Sequence, residues 1–267
     1  MTVPVVVARV VGVRKEGQGI GWVDLEGENI ALGAAPGQFA MIVRPGEEPG
    51  SCGRPYAYFR MLSAHRARFL VRERADAKAS LLSAPVGTPV PVRGPLGRPF
   101  ALAPAPIWAV AGGVGAAAFG GLLTPEHVGA GLKLVLGLRD GSEAGIARAL
   151  KHASGQPLNN LHVSSEDGSV GSTGSVLHLL AQLGQAHDGP EPALVLACGP
   201  TGMLEAVARW AAARKLACEV SVAVPLPCGV GTCGRCVHLD RHHKPLLACV
   251  DGPTYPAARL YPGFEAP

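Results

Sequence analysis

The chain has 267 residues, enough for two compact domains and a small module, and its 48% apolar and 16% charged composition supports a sizeable core rather than disorder. A net charge of only +4, no dense basic run and 5% aromatic residues argue against nucleic-acid recognition. Seven cysteines without a recognisable export signal point to a reducing, cytoplasmic setting and to metal or redox chemistry rather than a disulfide framework.

In chain order, the apolar stretch Val3–Val13 is interrupted by Pro4 and Arg9 and lacks a basic start, so it reads as a first strand and not as a leader. Short β-rich runs follow at Ile20–Leu25, Phe39–Arg44, Tyr56–Leu62, Arg68–Arg74 and Thr88–Arg93. Pro-Gly turns at 36–37, 45–46 and 49–50 separate several of them, which predicts a β-barrel over residues 1–101.

After Gly94-Pro95-Leu96-Gly97 and the Pro/Ala-rich stretch Ala101–Pro106, strands alternate with helices. Strands are predicted at Ile107–Ala111, Leu132–Leu138, Leu161–Ser164 and Ala193–Cys198, and helices at Ser142–His152, Gly174–Leu183 and Thr201–Lys215. That alternation is the pattern of a parallel α/β sheet, here over residues 102–220. The apolar run Ile107–Leu123 approaches the length of a membrane span, but its glycines cluster early, as in a turn.

Gly112-Gly113-Val114-Gly115 follows the first of these strands and opens a predicted helix, a place suited to phosphate or a nicotinamide cofactor. It lacks the full dinucleotide fingerprint, and a plain tight turn is the alternative. Glu166–Gly174 is a second glycine-rich loop, suited either to ribose hydroxyls or simply to solvent. Cys198, in Cys198-Gly199-Pro200, ends a strand where ligands of open α/β sheets bind; a structural cysteine is the alternative.

Residues 221–267 hold too few large apolar side chains to build a core of their own and call for a metal staple. Cys228, Cys233, Cys236 and Cys249 have the spacing C-x4-C-x2-C-x12-C, the plant-type [2Fe–2S] pattern. Gly229, Gly231 and Gly234 allow the tight curl such a loop needs. A four-cysteine zinc site is the competing assignment, but it usually shows two C-x2-C pairs and only one is present. His238, His242 and His243 are better placed as hairpin residues than as ligands.

Eight landmarks then run in order: P-G-Q-F (36–39), R-P-Y-A (54–57), G-P-L-G (94–97), A-G-G-V-G (111–115), E-D-G-S-V-G (166–171), A-C-G-P (197–200), C-G-V-G-T-C-G-R-C (228–236) and C-V-D-G-P (249–253). This order resembles the ferredoxin-reductase-like electron-transfer subunits, above all those of type B, NAD-linked dihydroorotate dehydrogenase. The resemblance implies a multidomain β plus α/β fold: a Greek-key FAD-binding barrel, a nicotinamide-binding parallel α/β domain and a C-terminal [2Fe–2S] module. It implies electron flow from a dihydroorotate-oxidising flavoprotein subunit through the cluster and FAD to NAD+, in a heterotetramer of two copies of each chain. On the same resemblance, Arg54, Pro55, Tyr56 and Ala57 match the flavin-binding stretch. Leu70, Val71 and Arg72 match a second FAD contact, and Lys78-Ala79 a third at a helix start. Gly112, Gly113 and Gly115 match the nicotinamide loop, and Cys198 the cysteine beside the nicotinamide.

Three positions depart from the wider reductase pattern. Ala57 replaces a serine, Lys78-Ala79 or Ala79-Ser80 replaces a Gly-Thr pair, and an acidic residue customary a few positions before the first cluster cysteine is replaced near Ala223-Val224. The alternatives are the small subunit of an NADH-dependent ferredoxin:NADP oxidoreductase, sulfide dehydrogenase or hydrogenase complex, and, from another class, a zinc-stapled interaction protein. Cys228 favours the dihydroorotate assignment, because those related subunits often lack a cysteine there.

Overall fold

The computed structural model describes residues 3–263 except 18, 49, 75, 76, 78, 103–105, 155–157 and 187–190. Lys78 therefore lies outside the described residues. The first seven strands are β1 (Val5–Gly17), β2 (Ile20–Glu26), β3 (Phe39–Ile42), β4 (Arg54–Ala57), β5 (Arg60–Ser63), β6 (Arg66–Arg72) and β7 (Pro89–Leu96). They form one antiparallel sheet in the order β4-β3-β7-β1-β2-β6-β5. Strands β4 and β5 stand at opposite edges, yet only Tyr58 and Phe59 separate them, a reach of roughly 10 Å. The sheet must therefore roll into a barrel. The predicted run Tyr56–Leu62 is one barrel strand bent at its middle: its first half pairs with β3 and its second with β6 through β5.

The bend has a packing cause. Tyr58 and Phe59 are both fully buried, and consecutive residues of a straight strand point to opposite faces. Tyr58 donates its hydroxyl to Ile30 O at 2.5 Å, and its ring lies 5.1 Å from that of Phe69. The links β2→β3 and β6→β7 each pass over two strands, which gives the expected Greek key.

The second domain contains β8 (Ile107–Gly112), a 3-10 stretch (Gly113–Leu122), α1 (Pro125–Gly129), β9 (Lys133–Leu138), α2 (Ala144–Ser154), β10 (Leu161–Ser165), β11 (Ser172–Thr173), α3 (Val176–Gln185), β12 (Leu194–Gly199), α4 (Thr201–Ala212) and β13 (Ala217–Val222). The C-terminal region adds β14 (Val237–Leu239), β15 (Pro245–Leu247), β16 (Thr254–Pro256) and α5 (Ala257–Leu260). The sheet order is β11-β10-β9-β8-β12-β13-β16, parallel throughout except for β16. One face buries Ala116, Phe119, Ile146 and Leu150, and the other Leu180, Leu204, Val207 and Ala257.

The segment after β8 is a 3-10 stretch, not the α-helix expected after a glycine loop. Four glycines in ten residues weaken α-helical propensity, and the segment is pressed against the barrel. A side chain at Gly120 would place its Cβ 2.1 Å from Phe59 O. The barrel also meets the α/β domain through Phe100 and Phe119, whose rings stack 5.5 Å apart. Arg148 donates to Glu16 O at 2.9 Å, and the Arg60 guanidinium to Ala153 O.

The cysteine-rich segment is no appendage. Its start packs Leu226, Cys236, Ala248 and Cys249 against Phe39, Met41 and Leu96 of the barrel. Its end supplies β16 to the parallel sheet, while Thr254 donates to Arg98 O at 2.9 Å and Pro99 O at 2.7 Å. Among the described residues, no helix is long and apolar enough to cross a membrane.

Candidate functional site

The α/β sheet grows from β8 in two directions, through β9 and β10 on one side and through β12 and β13 on the other. The switch point therefore lies at the carboxyl ends of β8 and β12, where such sheets bind ligands. A cleft of about 1010 Å³ opens there, between the α/β domain, strands β4 and β6 of the barrel, and residues 221–226. Pro55, Tyr56 and Ala57 enter it from β4, and Leu70 and Arg72 from β6. Gly112, Gly113, Gly115 and Cys198 face them from the sheet.

The glycines have a steric reason. A Cβ at Gly115 would fall 2.3 Å from Cys198 O, and one at Gly112 would fall 2.7 Å from Pro200 Cδ. The two strand ends approach too closely for side chains, so bare backbone faces the cleft.

The remaining predicted residues sit differently. Arg54 lines an adjoining hollow of about 390 Å³ that shares Pro55, Tyr56 and Arg72 with the cleft. Val71 points into the barrel core between Leu70 and Arg72. Ala79 is buried in a turn, and no helix begins there among the described residues. Pro85 follows too soon, since the residue before a proline is pushed away from helical geometry.

Other cleft residues carried no sequence signal. Glu143 is buried, accepts from Arg139 N at 3.0 Å and pairs with Arg72 at 2.9 Å, tying the barrel to the α/β domain across the cleft. Phe39 and Leu226 form part of the wall.

Burial pushes the Cys198 thiol up to about 11, against a hydrogen bond with Ser221 that holds it back. At neutral pH it is a neutral thiol that shapes the cleft rather than a nucleophile. Burial likewise carries Cys218 to about 12, with Glu219 adding to it. Brief alkylation at pH 7.5 should therefore modify exposed Cys52 and spare Cys198 and Cys218; peptide mapping would check this.

The four C-terminal cysteines are gathered by the curled loop. Gly229, Gly231 and Gly234 have φ of 71°, 82° and 67°, the left-handed region that favours glycine. The sulfurs fall into two pairs. Cys236 Sγ and Cys249 Sγ are 3.3 Å apart, and Cys228 is hydrogen-bonded to Cys233. Four thiols standing as two pairs fit the four-cysteine ligand set of a [2Fe–2S] cluster.

Backbone amides complete the fit. Gly231 N–H donates to Cys249 Sγ at 3.1 Å. At Cys228 burial favours the neutral thiol, but hydrogen bonds from Val230 and Cys233 N–H and from the Thr232 side chain outweigh it and bring the group to about 6. His238 packs edge-on against Tyr255 at 5.2 Å, and the His242 N–H is bound by Asp240 in the hairpin turn. Cys236 and Cys249 lie in the same apolar cluster as Phe39 and Leu226, so the cleft and the cysteine site share a wall.

Residues 226–261 match the iron-sulfur cluster binding domain of dihydroorotate dehydrogenase B. The fold resembles that of an NADH-dependent reduced ferredoxin-NADP oxidoreductase, with a TM-score of 0.77 and 24% identity over 95% of this chain and 89% of that one. It also resembles a ferredoxin NADP+ reductase from Neisseria gonorrhoeae with bound FAD and NADP, with a TM-score of 0.61 and 15% identity over 77% and 89% of the two chains. The dihydroorotate dehydrogenase B (NAD(+)) electron transfer subunit of Desulforamulus reducens is 29% identical over 88% of this chain and 90% of its own length. The subunit of the same name from Shouchella clausii is 31% identical over 88% of this chain and 90% of its own. With such identity along nearly the full length of both chains, and with the cysteine module and the cleft in place, the chain belongs to the family of electron transfer subunits of NAD-linked dihydroorotate dehydrogenase B.

Proposed function

We propose that this chain carries electrons from a dihydroorotate-oxidising flavoprotein subunit to NAD+, through a [2Fe–2S] cluster and FAD. The observation that carries this is the shared wall: Phe39 and Leu226 line the cleft and pack with Cys236 and Cys249. FAD supplies the exchange between single electrons, which an iron–sulfur centre handles, and the hydride that nicotinamide takes.

The protein's own residues position and insulate. Residues 1–101 provide the flavin side, with Tyr56 and Ala57 against the ring system and Arg54 and Arg72 toward the phosphates. Residues 102–220 provide the nicotinamide side, where Gly112, Gly113 and Gly115 leave room for backbone contact and Cys198 fills the space beside the ring. Residues 221–267 hold the cluster through Cys228, Cys233, Cys236 and Cys249. The exposed Cys233 marks the side open to the partner, while the other three cysteines are buried. We place the protein in the cytoplasm, as two copies paired with two catalytic subunits.

The test is co-purification of the tagged chain from its native cells, followed by dihydroorotate-dependent reduction of NAD+ by the isolated complex. A stoichiometric dihydroorotate dehydrogenase chain and NADH formation are expected. A different flavoprotein partner would move the chain to the NADH-dependent ferredoxin:NADP oxidoreductase assignment.

A further inference from the structure

One helix ties the barrel to the α/β domain. Helix α2 belongs to the α/β domain, yet it packs on strands β1 and β2 of the barrel. The approach is close enough to need a glycine: a Cβ at Gly145 would fall 2.9 Å from Glu16 O and 3.1 Å from Ile20 Cγ2.

Glu16 is the centre of that contact. Its side chain is only 4% exposed, and both its carbonyl and its carboxylate are engaged. The carbonyl accepts from Arg148 Nε at 2.9 Å and from Arg148 Nη2. The carboxylate Oε1 accepts from Arg14 Nε at 2.7 Å and lies 2.7 Å from His152 Nδ1. Arg14 Nη2 faces His152 Nε2 at 3.2 Å. An arginine only donates, so Nε2 accepts and Nδ1 donates to Glu16. Arg14 stands on the same strand as Glu16, whereas Arg148 and His152 lie one turn apart on α2. A buried carboxylate must have its charge met, and part of what meets this one comes from the other domain.

The opposite end of α2 reaches the cleft. The helix begins at Ala144, directly after Glu143, which pairs with Arg72 of the barrel at 2.9 Å. The Glu143 carboxylate oxygens lie 3.7 and 3.9 Å from where a Cβ at Gly113 would stand, in the glycine loop. Ile146 and Leu150 of α2 share a buried cluster with Ala116 and Phe119 of the 3-10 stretch that continues this loop. A shift of α2 against the barrel therefore carries the glycine loop with it.

We infer that Glu16 is a positioning residue for hydride transfer: by holding α2 at Arg148 and His152, it fixes the distance between the flavin side and the nicotinamide side of the cleft. This rests on FAD and the nicotinamide meeting in the cleft, as proposed above. Glu16 does not line the cleft and acts only through the helix. In the step concerned, the hydrogen at C4 of NADH moves with its electron pair to the flavin ring, leaving NAD+ and the two-electron-reduced flavin. Reacting atoms must stand about 3–3.5 Å apart, and a misplacement of roughly 1 Å can cost about 100-fold in rate.

The test is rapid mixing of the purified chain, flavin and cluster in place, with NADH and with its C4-deuterated form, read as loss of flavin absorbance. Glu16→Gln keeps the shape and loses the charge. It should slow flavin reduction by about 10-fold or more, with a full deuterium effect and an unchanged half-saturating NADH concentration. His152→Ala and Arg148→Ala cut the tie from the other domain and should do the same. Arg14→Ala removes a partner of the same carboxylate from its own strand and should leave the rate near that of the wild type. Hydrogen exchange of flavin-free protein gives a second readout: residues 113–122 should exchange faster in the first three variants and not in Arg14→Ala. Equal slowing in His152→Ala and Arg14→Ala would reduce Glu16 to a buried charge that needs cover and overturn the inference. Slowing without a deuterium effect, or unchanged flavin reduction in Glu16→Gln and Arg148→Ala, would do so as well. Should Glu16→Gln fail to fold, the exposed positions His152 and Arg148 carry the test. A wild-type protein whose bound flavin is not reduced by NADH would overturn the underlying function instead.

Discussion

Serine in place of Cys233 should abolish the iron–sulfur absorbance and leave bound flavin in place. Cys233 is exposed, so the change removes a ligand without opening a cavity in any core. Its partner Cys228 is buried and loses its neighbour in the pair. Losing a primary ligand should cost more than the roughly 10- to 100-fold typical of outer-shell changes. Dihydroorotate-dependent NAD+ reduction by the reconstituted complex should therefore drop by more than about 100-fold. NADH oxidation with ferricyanide as acceptor should persist, because it needs only the cleft. Visible absorbance, iron content and the two activities measured side by side check this. A variant that keeps a normal cluster spectrum would remove Cys233 from the ligand set.

Alanine in place of Gly115 should strike the opposite end of the chain of transfer. The new Cβ would sit 2.3 Å from Cys198 O, a backbone atom that cannot swing aside. The 3-10 stretch would have to move away from the end of β12 at the switch point, at a cost of about 1–3 kcal/mol, the usual range for overpacking. The KM for NAD+ should rise by about 10-fold or more, since close positioning at the reacting centre is what is lost. The iron–sulfur spectrum should be unchanged, because the cysteine loop packs on β3 and β7 and not on β8. Thermal unfolding and nicotinamide titration of one preparation separate the stability loss from the binding loss. An unchanged KM would place the nicotinamide elsewhere.

Local signals made much of this architecture readable before any coordinates. The four cysteines stand on one short loop and the next hairpin, so their spacing carries their convergence directly. The barrel strands announced themselves through β-rich runs and Pro-Gly turns. What stayed hidden depends on contacts between residues far apart in sequence. Strand β13 was not among the expected strands and straddles the expected boundary at 220, because its partner β16 comes more than thirty residues later and nothing local advertises the pairing. The bend at Tyr58–Phe59 looks like an unbroken aromatic strand until β3 and β6 are known to flank it. Glu143 lies in an ordinary helix-start sequence, and only the arrival of Arg72 from the barrel makes it part of the cleft. The third flavin contact was expected at a helix start, yet no helix begins at Ala79 among the described residues.

The placement of β16 also dictates an order of assembly. Strands β8 to β13 can pair as they leave the ribosome, but the outer edge of β13 stays bare until residues 254–256 emerge, after all four cysteines. A bare edge is a template for pairing with other chains. Antiparallel pairing of Thr254–Pro256 with Glu219–Ser221 of β13 closes the cysteine segment into a loop whose ordering costs conformational entropy. A cluster that bridges positions inside that loop subdivides it and lowers the cost of closing it. Cluster assembly should therefore favour closure of the sheet edge. Proteins starved of iron should accumulate as forms with an uncovered β13, susceptible to proteolysis in the 223–253 segment and prone to self-association.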